Sequence, residues 1–116
     1  AGLTNTVVIT GDIHVAGVGE VQLGDGDGAR TVATELVGTS ISSDAPIPED
    51  LSSLVTELLP WIQYFDARRG WTRCRVDSGE WTAEFRVVDD NLAEGQPVST
   101  DATFTIRPDS PGAVPA

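Results

Sequence analysis

Apolar residues run together near the start of the chain and alternate with polar ones in its second half. Thr6, Val7, Val8, Ile9 and Thr10 form a stretch with no charged residue. Such a run fits a strand covered on both faces better than a half-exposed one. A buried helix segment shows the same periodicity, but the β-branched content favours strand. Gly11 then permits a tight turn, so Asp12 and His14 are predicted at the carboxyl end of a core strand. Open sheets with helical crossovers commonly bind ligands at that end.

Further along, Val15 to Leu23 carries glycines at 17 and 19 and reads as a loop or weak strand. The Asp-Gly pairs between Leu23 and Arg30 mark a turn. Thr31 to Val37 is a second strand, followed by the hydroxyl-rich Gly38-Thr-Ser-Ile-Ser-Ser43. Hydroxyls of this kind bind a ligand or satisfy their own backbone at a turn.

Between Pro48 and Leu59 the period changes. Leu51, Leu54, Val55, Leu58 and Leu59 make the stripe of a surface helix with one buried face. Pro48 suits its first turn, Glu49 and Asp50 complement its dipole, and Pro60 ends it. Trp61, Tyr64 and Phe65 are expected to pack rather than stack on a ligand.

Trp71 to Val88 is predicted as a β-hairpin turning at Asp77-Ser-Gly-Glu80. Thr72, Cys74 and Val76 share one side of its first strand, and Trp81, Ala83, Phe85 and Val87 one side of the second. Arg73, Arg75, Glu84 and Arg86 would then offer cross-strand charge pairs. Asp89 to Thr100 reads as a polar connection and Asp101 to Ile106 as a last strand. Pro108 to Ala116 is expected to be a flexible tail, leaving 1–107 as the structured part.

The predicted order is strand, hairpin-like segment, helix, β-hairpin, strand: an α+β piece that is mostly β. One helix cannot cover both faces of the sheet these strands would build. The chain is therefore expected to be part of a larger layered domain, or to associate with a partner that supplies the missing layer.

Composition narrows the function classes. The 116 residues can form one domain with a modest core. The chain begins with Ala and has no Met, which reads as a processed product or a cut from something longer. Net charge is −11, and all seven basic residues are Arg. Such a balance argues against electrostatic binding of nucleic acid or anionic membrane. No apolar stretch approaches the roughly 18 residues of a membrane span, and no signal sequence opens the chain. A lone Cys rules out an intrachain disulfide and a multi-thiolate zinc site, and Cys74 is expected to be a small buried apolar residue.

Candidate chemistry centres on Asp12 and His14. Two positions apart in extended backbone, they would point the same way, as two metal ligands do, or as an acid orienting a base. A surface Asp beside a hydrogen-bonded His is the plainer reading. Position speaks for chemistry, since this is the chain's single His and it follows the most buried-looking strand. Calcium in the acidic turn at Asp25 is disfavoured, because an EF-hand loop beginning there needs Glu where Leu36 stands. Arg68 and Arg69, beside Gly70, are candidates for contacting a substrate phosphate. The alternative is that they pair with Asp66 or other acids.

Taken in order, NTVVITGDIH, TVATELVGTSISS and WIQYFDARRGWTRCRVDSGEWTAEFRVVDD resemble the carboxyl-terminal part of the PhoD-like alkaline phosphatases, a branch of the metallophosphoesterases. The similarity runs from about Asn5 to Ile106. GDIH alone is not specific, but with VGTSISS and FDARRGW in that order it is. The resemblance implies a secreted or cell-envelope enzyme hydrolysing phosphate mono- and diesters with iron and calcium, on an αββα sandwich. It also implies that Asp12 and His14 are metal ligands. The half that should carry the remaining ligands is missing, so the chain alone is expected to be inactive or nearly so, its partner being that amino-terminal part or an oligomer. The rival reading is a non-catalytic, acidic, secreted β-rich module binding through the region from Trp61 to Trp71.

Overall fold

The computed structural model describes residues 2–89 and 92–116. It comprises two four-stranded sheets and one short helix. Strands β1 (Thr6–Thr10), β2 (Ala16–Leu23), β3 (Arg30–Val37) and β4 (Ile62–Asp66) form the first sheet in the order β1-β3-β2-β4. Strands β5 (Arg69–Val76), β6 (Trp81–Val88), β7 (Val98–Arg107) and β8 (Ser110–Pro115) form the second in chain order. Helix α1 (Ser52–Leu58) follows a 3-10 turn at Glu49–Leu51.

The sheets share one core. Ala16, Val18 and Leu36 from the first meet Ala83, Phe85, Phe104, Ile106 and Ala113 from the second. Tyr64 joins them, its ring centroid 4.8 Å from Phe85 and 5.9 Å from Phe104. Here the expected alternation holds, with Ala83, Phe85 and Val87 buried in β6 and Phe104 and Ile106 in β7. The β5–β6 turn is held by Asp77, whose carboxylate accepts from the backbone N–H of Gly79 (2.7 Å) and Glu80 (3.0 Å). Those two bonds stabilise the anion and lower its pKa.

Several expectations are corrected. The first strand is not covered on both faces: β1 is an edge strand paired only with β3, in parallel. Val7 alone is half-buried in it, and Ile9 is 65 % exposed. The buried strand is β2, expected as a loop or weak strand, which lies between β3 and β4 with Val18 1 % exposed. The glycines that argued against a strand sit within its paired register. A Cβ on Gly17 would meet the carbonyl oxygen of Tyr64 on the adjacent β4 at 3.4 Å, and one on Gly19 would have nothing nearer than 3.9 Å, both ordinary contacts.

The aromatic stretch after the helix is itself a strand, β4, and Trp61 is exposed. The helical stripe contributes no buried residue: Leu51, Leu54 and Leu58 are exposed, and α1 packs mainly on β4. Cys74 is exposed, as are all of Arg73 to Val76 in the outer half of the edge strand β5. The segment expected as a tail is β8, paired with β7 and packed against β3. Of the connection expected at 89–100, residues 90 and 91 lie outside the described residues, and β7 begins within it at Val98.

Candidate functional site

Three stretches of sequence converge at the carboxyl end of β1. In the parallel pair, Thr10 faces Val37, and the next residue, Gly38, donates its N–H to the Thr10 carbonyl at 2.9 Å. The loop that follows is sewn to the start of β5. Thr39 Oγ1 donates to the Arg68 carbonyl (2.9 Å), and Gly70 N–H donates to the Ser40 carbonyl (3.1 Å). The hydroxyl of Ser40 closes the loop on itself by donating to the Ser43 carbonyl. The hydroxyl-rich segment thus works as a strap between the tip of β1 and the β4–β5 turn.

Asp12 and His14 sit between β1 and β2 and are not in extended backbone. Both occupy the left-handed region, with φ of 75° and 60°. Asp and His tolerate that region better than most residues. Each still costs on the order of 1 kcal/mol, and strain of this kind gathers at ligand clamps and active sites. The expected parallel projection from a strand therefore does not apply; each side chain is aimed by its own turn.

The imidazole has a defined partner. His14 Nδ1 lies 3.0 Å from the main-chain carbonyl oxygen of Asp44. A carbonyl only accepts, so Nδ1 carries the hydrogen, and in the neutral ring Nε2 keeps its lone pair. Histidines that ligate metals are held this way, the second nitrogen donating to a carbonyl or carboxylate. Asp44 was not singled out as a functional residue from the sequence, and no motif marks it. Its place depends on the strap.

The two arginines have different surroundings. Arg68 directs its N–H (2.7 Å) and Nε (3.1 Å) to Asp66 Oδ1, and its Nη2 to Asp66 Oδ2 (2.6 Å). It also reaches Asp89 (3.2 Å) and Asp101. The hydrogen bonds to Asp66 are the main reason its pKa rises, outweighing desolvation. Asp66 is buried at 8 % exposure, so this pair ties the end of β4 to the second sheet. Tyr64 O–H donates to the other oxygen of Asp101 (3.0 Å). Burial first, then the charges of Asp66 and Asp101, push that phenol far above its ordinary range. Arg69 instead reaches the loop, Nη2 donating to the carboxylate of Asp44 and Nη1 to the Ala67 carbonyl at 3.4 Å. Both guanidiniums therefore have carboxylate partners. His14 and Arg69 meet on Asp44, and Arg68 stands apart from them with Asp66.

An apolar groove of about 270 Å³ runs beside this tip on the outer face of the first sheet, lined by Thr10, Gly11, Ile13, Val15, Val37 and Phe65 among others. Among the described residues, no group of three or more His, Cys, Asp or Glu side chains converges on a point that could hold a cation. Asp12 and His14 supply the oxygen and nitrogen donors that a hard or borderline cation accepts. The chemistry of the pair fits such a cation, and its number falls short of a complete shell.

The fold places the chain in a known class. The solved structure of PhoD superposes with a TM-score of 0.85 over 99 % of this chain and 23 % of that one, at 31 % identity. The chain belongs to the PhoD-like phosphatase family, which it matches over residues 1–85. Alkaline phosphatase D of Bacillus subtilis (strain 168) is 33 % identical over 114 residues, 95 % of this chain and 19 % of that protein. The chain thus spans about a fifth of the length of these relatives.

Proposed function

We propose that this chain is the carboxyl-terminal, ligand-bearing part of a phosphatase acting on phosphate mono- and diesters, with Asp12 and His14 as two of its metal ligands. The family match supports the phosphatase reading. The observation that carries the residue assignment is the His14 Nδ1–H bond to a main-chain carbonyl, which leaves Nε2 available at a strained turn. A resident metal, iron and calcium being the cations the resemblance implies, would polarise the phosphoryl oxygens and bring the pKa of a bound water towards neutrality.

This chain's residues do the preparatory work. The strap fixes the tip of β1, the Asp44 carbonyl selects the protonated nitrogen of His14, and Asp12 brings a carboxylate oxygen of the kind a hard cation accepts. A cation here would also offset the charge of −11 that otherwise repels a phosphate ester. Arg68 and Arg69, paired with carboxylates, serve this reading as scaffold. The two sheets are the inner layers of an αββα sandwich, and the outer face beside the groove is covered by the amino-terminal part of a longer protein exported to the cell envelope. With two ligands of its own, the chain alone is inactive.

The test uses the chain itself. Titration with Zn²⁺, a diamagnetic stand-in for iron, should perturb the ring signals of the single histidine, and Asp12→Ala should weaken the response. The chain should release no p-nitrophenol from p-nitrophenyl phosphate or its bis-ester. Ring signals indifferent to metal would remove the ligand assignment, and metal-dependent turnover by the chain alone would remove the claim of inactivity.

A further inference from the structure

We infer that Asp44 is a positioning residue for His14, its carboxylate anchored by Arg69 so that its carbonyl holds the imidazole in the Nδ1–H form. The inference deepens the ligand reading above and rests on it for its purpose. The hydrogen bond to His14 uses the main chain of residue 44, which any amino acid provides. What distinguishes Asp is the side chain, and that side chain receives Arg69 Nη2.

The geometry explains why an anchor is needed there. The first half of the strap is fixed by Gly38, Thr39 and Ser40, each bonded to β1 or to the β4–β5 turn. Four residues past Ser40, the Asp44 side chain is 89 % exposed. Arg69 can hold it because Arg69 is itself held. It opens β5 opposite Val88, its side chain is 22 % exposed, and its Nη1 reaches Ala67. Position is thereby handed from the second sheet through Arg69 and Asp44 to the imidazole at the tip of the first.

The consequence concerns which nitrogen bears the lone pair. A neutral histidine side chain free in water favours the hydrogen on Nε2, which places the lone pair on Nδ1. A carbonyl 3.0 Å from Nδ1 reverses that preference. If the carbonyl drifts, the reversal weakens, and a cation approaching Nε2 meets an N–H instead of a lone pair.

Because the chain has one histidine, ring ¹⁵N spectroscopy at a pH where the imidazole is neutral reads this directly. The metal-free wild type should show mainly the Nδ1–H form. Asp44→Ala, which keeps the carbonyl and removes the anchor, should shift the tautomer ratio towards Nε2–H by roughly two- to five-fold, the size expected of a partly exposed ion pair. Arg69→Gln should reproduce the shift, and Arg69→Lys should restore much of the wild-type ratio. A wild type in the Nε2–H form overturns the inference, as does a folded Asp44→Ala chain with an unchanged ratio. Should Arg69→Gln fail to fold, the substitution on the exposed loop decides alone. No metal is present in this measurement, so its outcome is separate from that of the ligand assignment. A shifted ratio with no Zn²⁺ response would keep the anchor and discard the ligand.

Discussion

The two sheets meet across one core but are finished to different degrees. In the second, β6 and β7 have neighbours on both sides, and Phe85, Val87, Phe104 and Ile106 are almost wholly withdrawn from water. In the first, β2 and β3 are equally buried at Val18 and Leu36, yet the outer strand β1 leaves Val8 and Ile9 exposed and is followed by two left-handed residues, Asp12 and His14. Candidate chemistry stands on the edge that packing holds least, where local strain costs the core little.

Gly70 tests how firmly the second sheet is packed where the strap reaches it. It lies in β5 opposite Val87, and its N–H donates to the Ser40 carbonyl of the strap. A Cβ there would stand 1.8 Å from the Arg86 carbonyl oxygen and 2.9 Å from its carbon, which are backbone atoms with no rotamer to escape into. Gly70→Ala must therefore push β5 off β6, and is expected to cost about 3 kcal/mol, the upper part of the range for overpacking. Urea unfolding measures it. A loss under about 1 kcal/mol would mean that β5 can shift off β6 at this point and that the start of the second sheet is softer than its buried middle.

The same contrast decides what could be read in advance. Alternation in β6 and β7 announced both strands and their buried sides, because each has one face on the core and one on solvent. The run in β1 announced a strand and misplaced it: five residues without a charge look the same whether the covering layer lies in this chain or outside it. β2 was half concealed by its glycines, because its place between β3 and β4 is set by tertiary pairing that the local pattern does not carry. The site was half legible. Asp12 and His14 could be singled out as residue types near a strand tip and Arg69 as a phosphate contact beside Gly70, but the left-handed turns of the first two and the meeting of His14 and Arg69 on Asp44 carry no motif in the sequence. Arg68 shows the converse, since its pairing with Asp66 two residues away was a local alternative open from the start.

Relieving the strain should separate folding from function at the tip. Asp12→Gly removes a left-handed penalty of about 1–2 kcal/mol and adds unfolded-chain freedom of about 0.5–1 kcal/mol. A net stabilisation of roughly 0.5–1 kcal/mol is expected. The same change at His14 also discards the bond to Asp44, so its gain should shrink or vanish. If Asp12→Gly destabilises the chain instead, the carboxylate is a structural cap and the reading of stored strain at this turn fails.

The smallest effect is expected at Val8, and it bears most directly on what covers β1. Val8 pairs with Glu35, whose carboxylate accepts from Thr10 Oγ1 on the side of the sheet facing away from the core. Val8→Thr keeps the shape and the β-branch and adds a hydroxyl. In this chain water can solvate that hydroxyl, so stability should stay within about 0.5 kcal/mol of wild type. In a longer protein where a further layer covers this face, the same hydroxyl would be buried without a ready partner and should cost about 1–3 kcal/mol. Measuring Val8→Thr in both settings distinguishes a solvated edge from an inner strand. Equal small values in both would mean that β1 remains at the surface however much chain is present, and would leave its exposed apolar residues without an occupant.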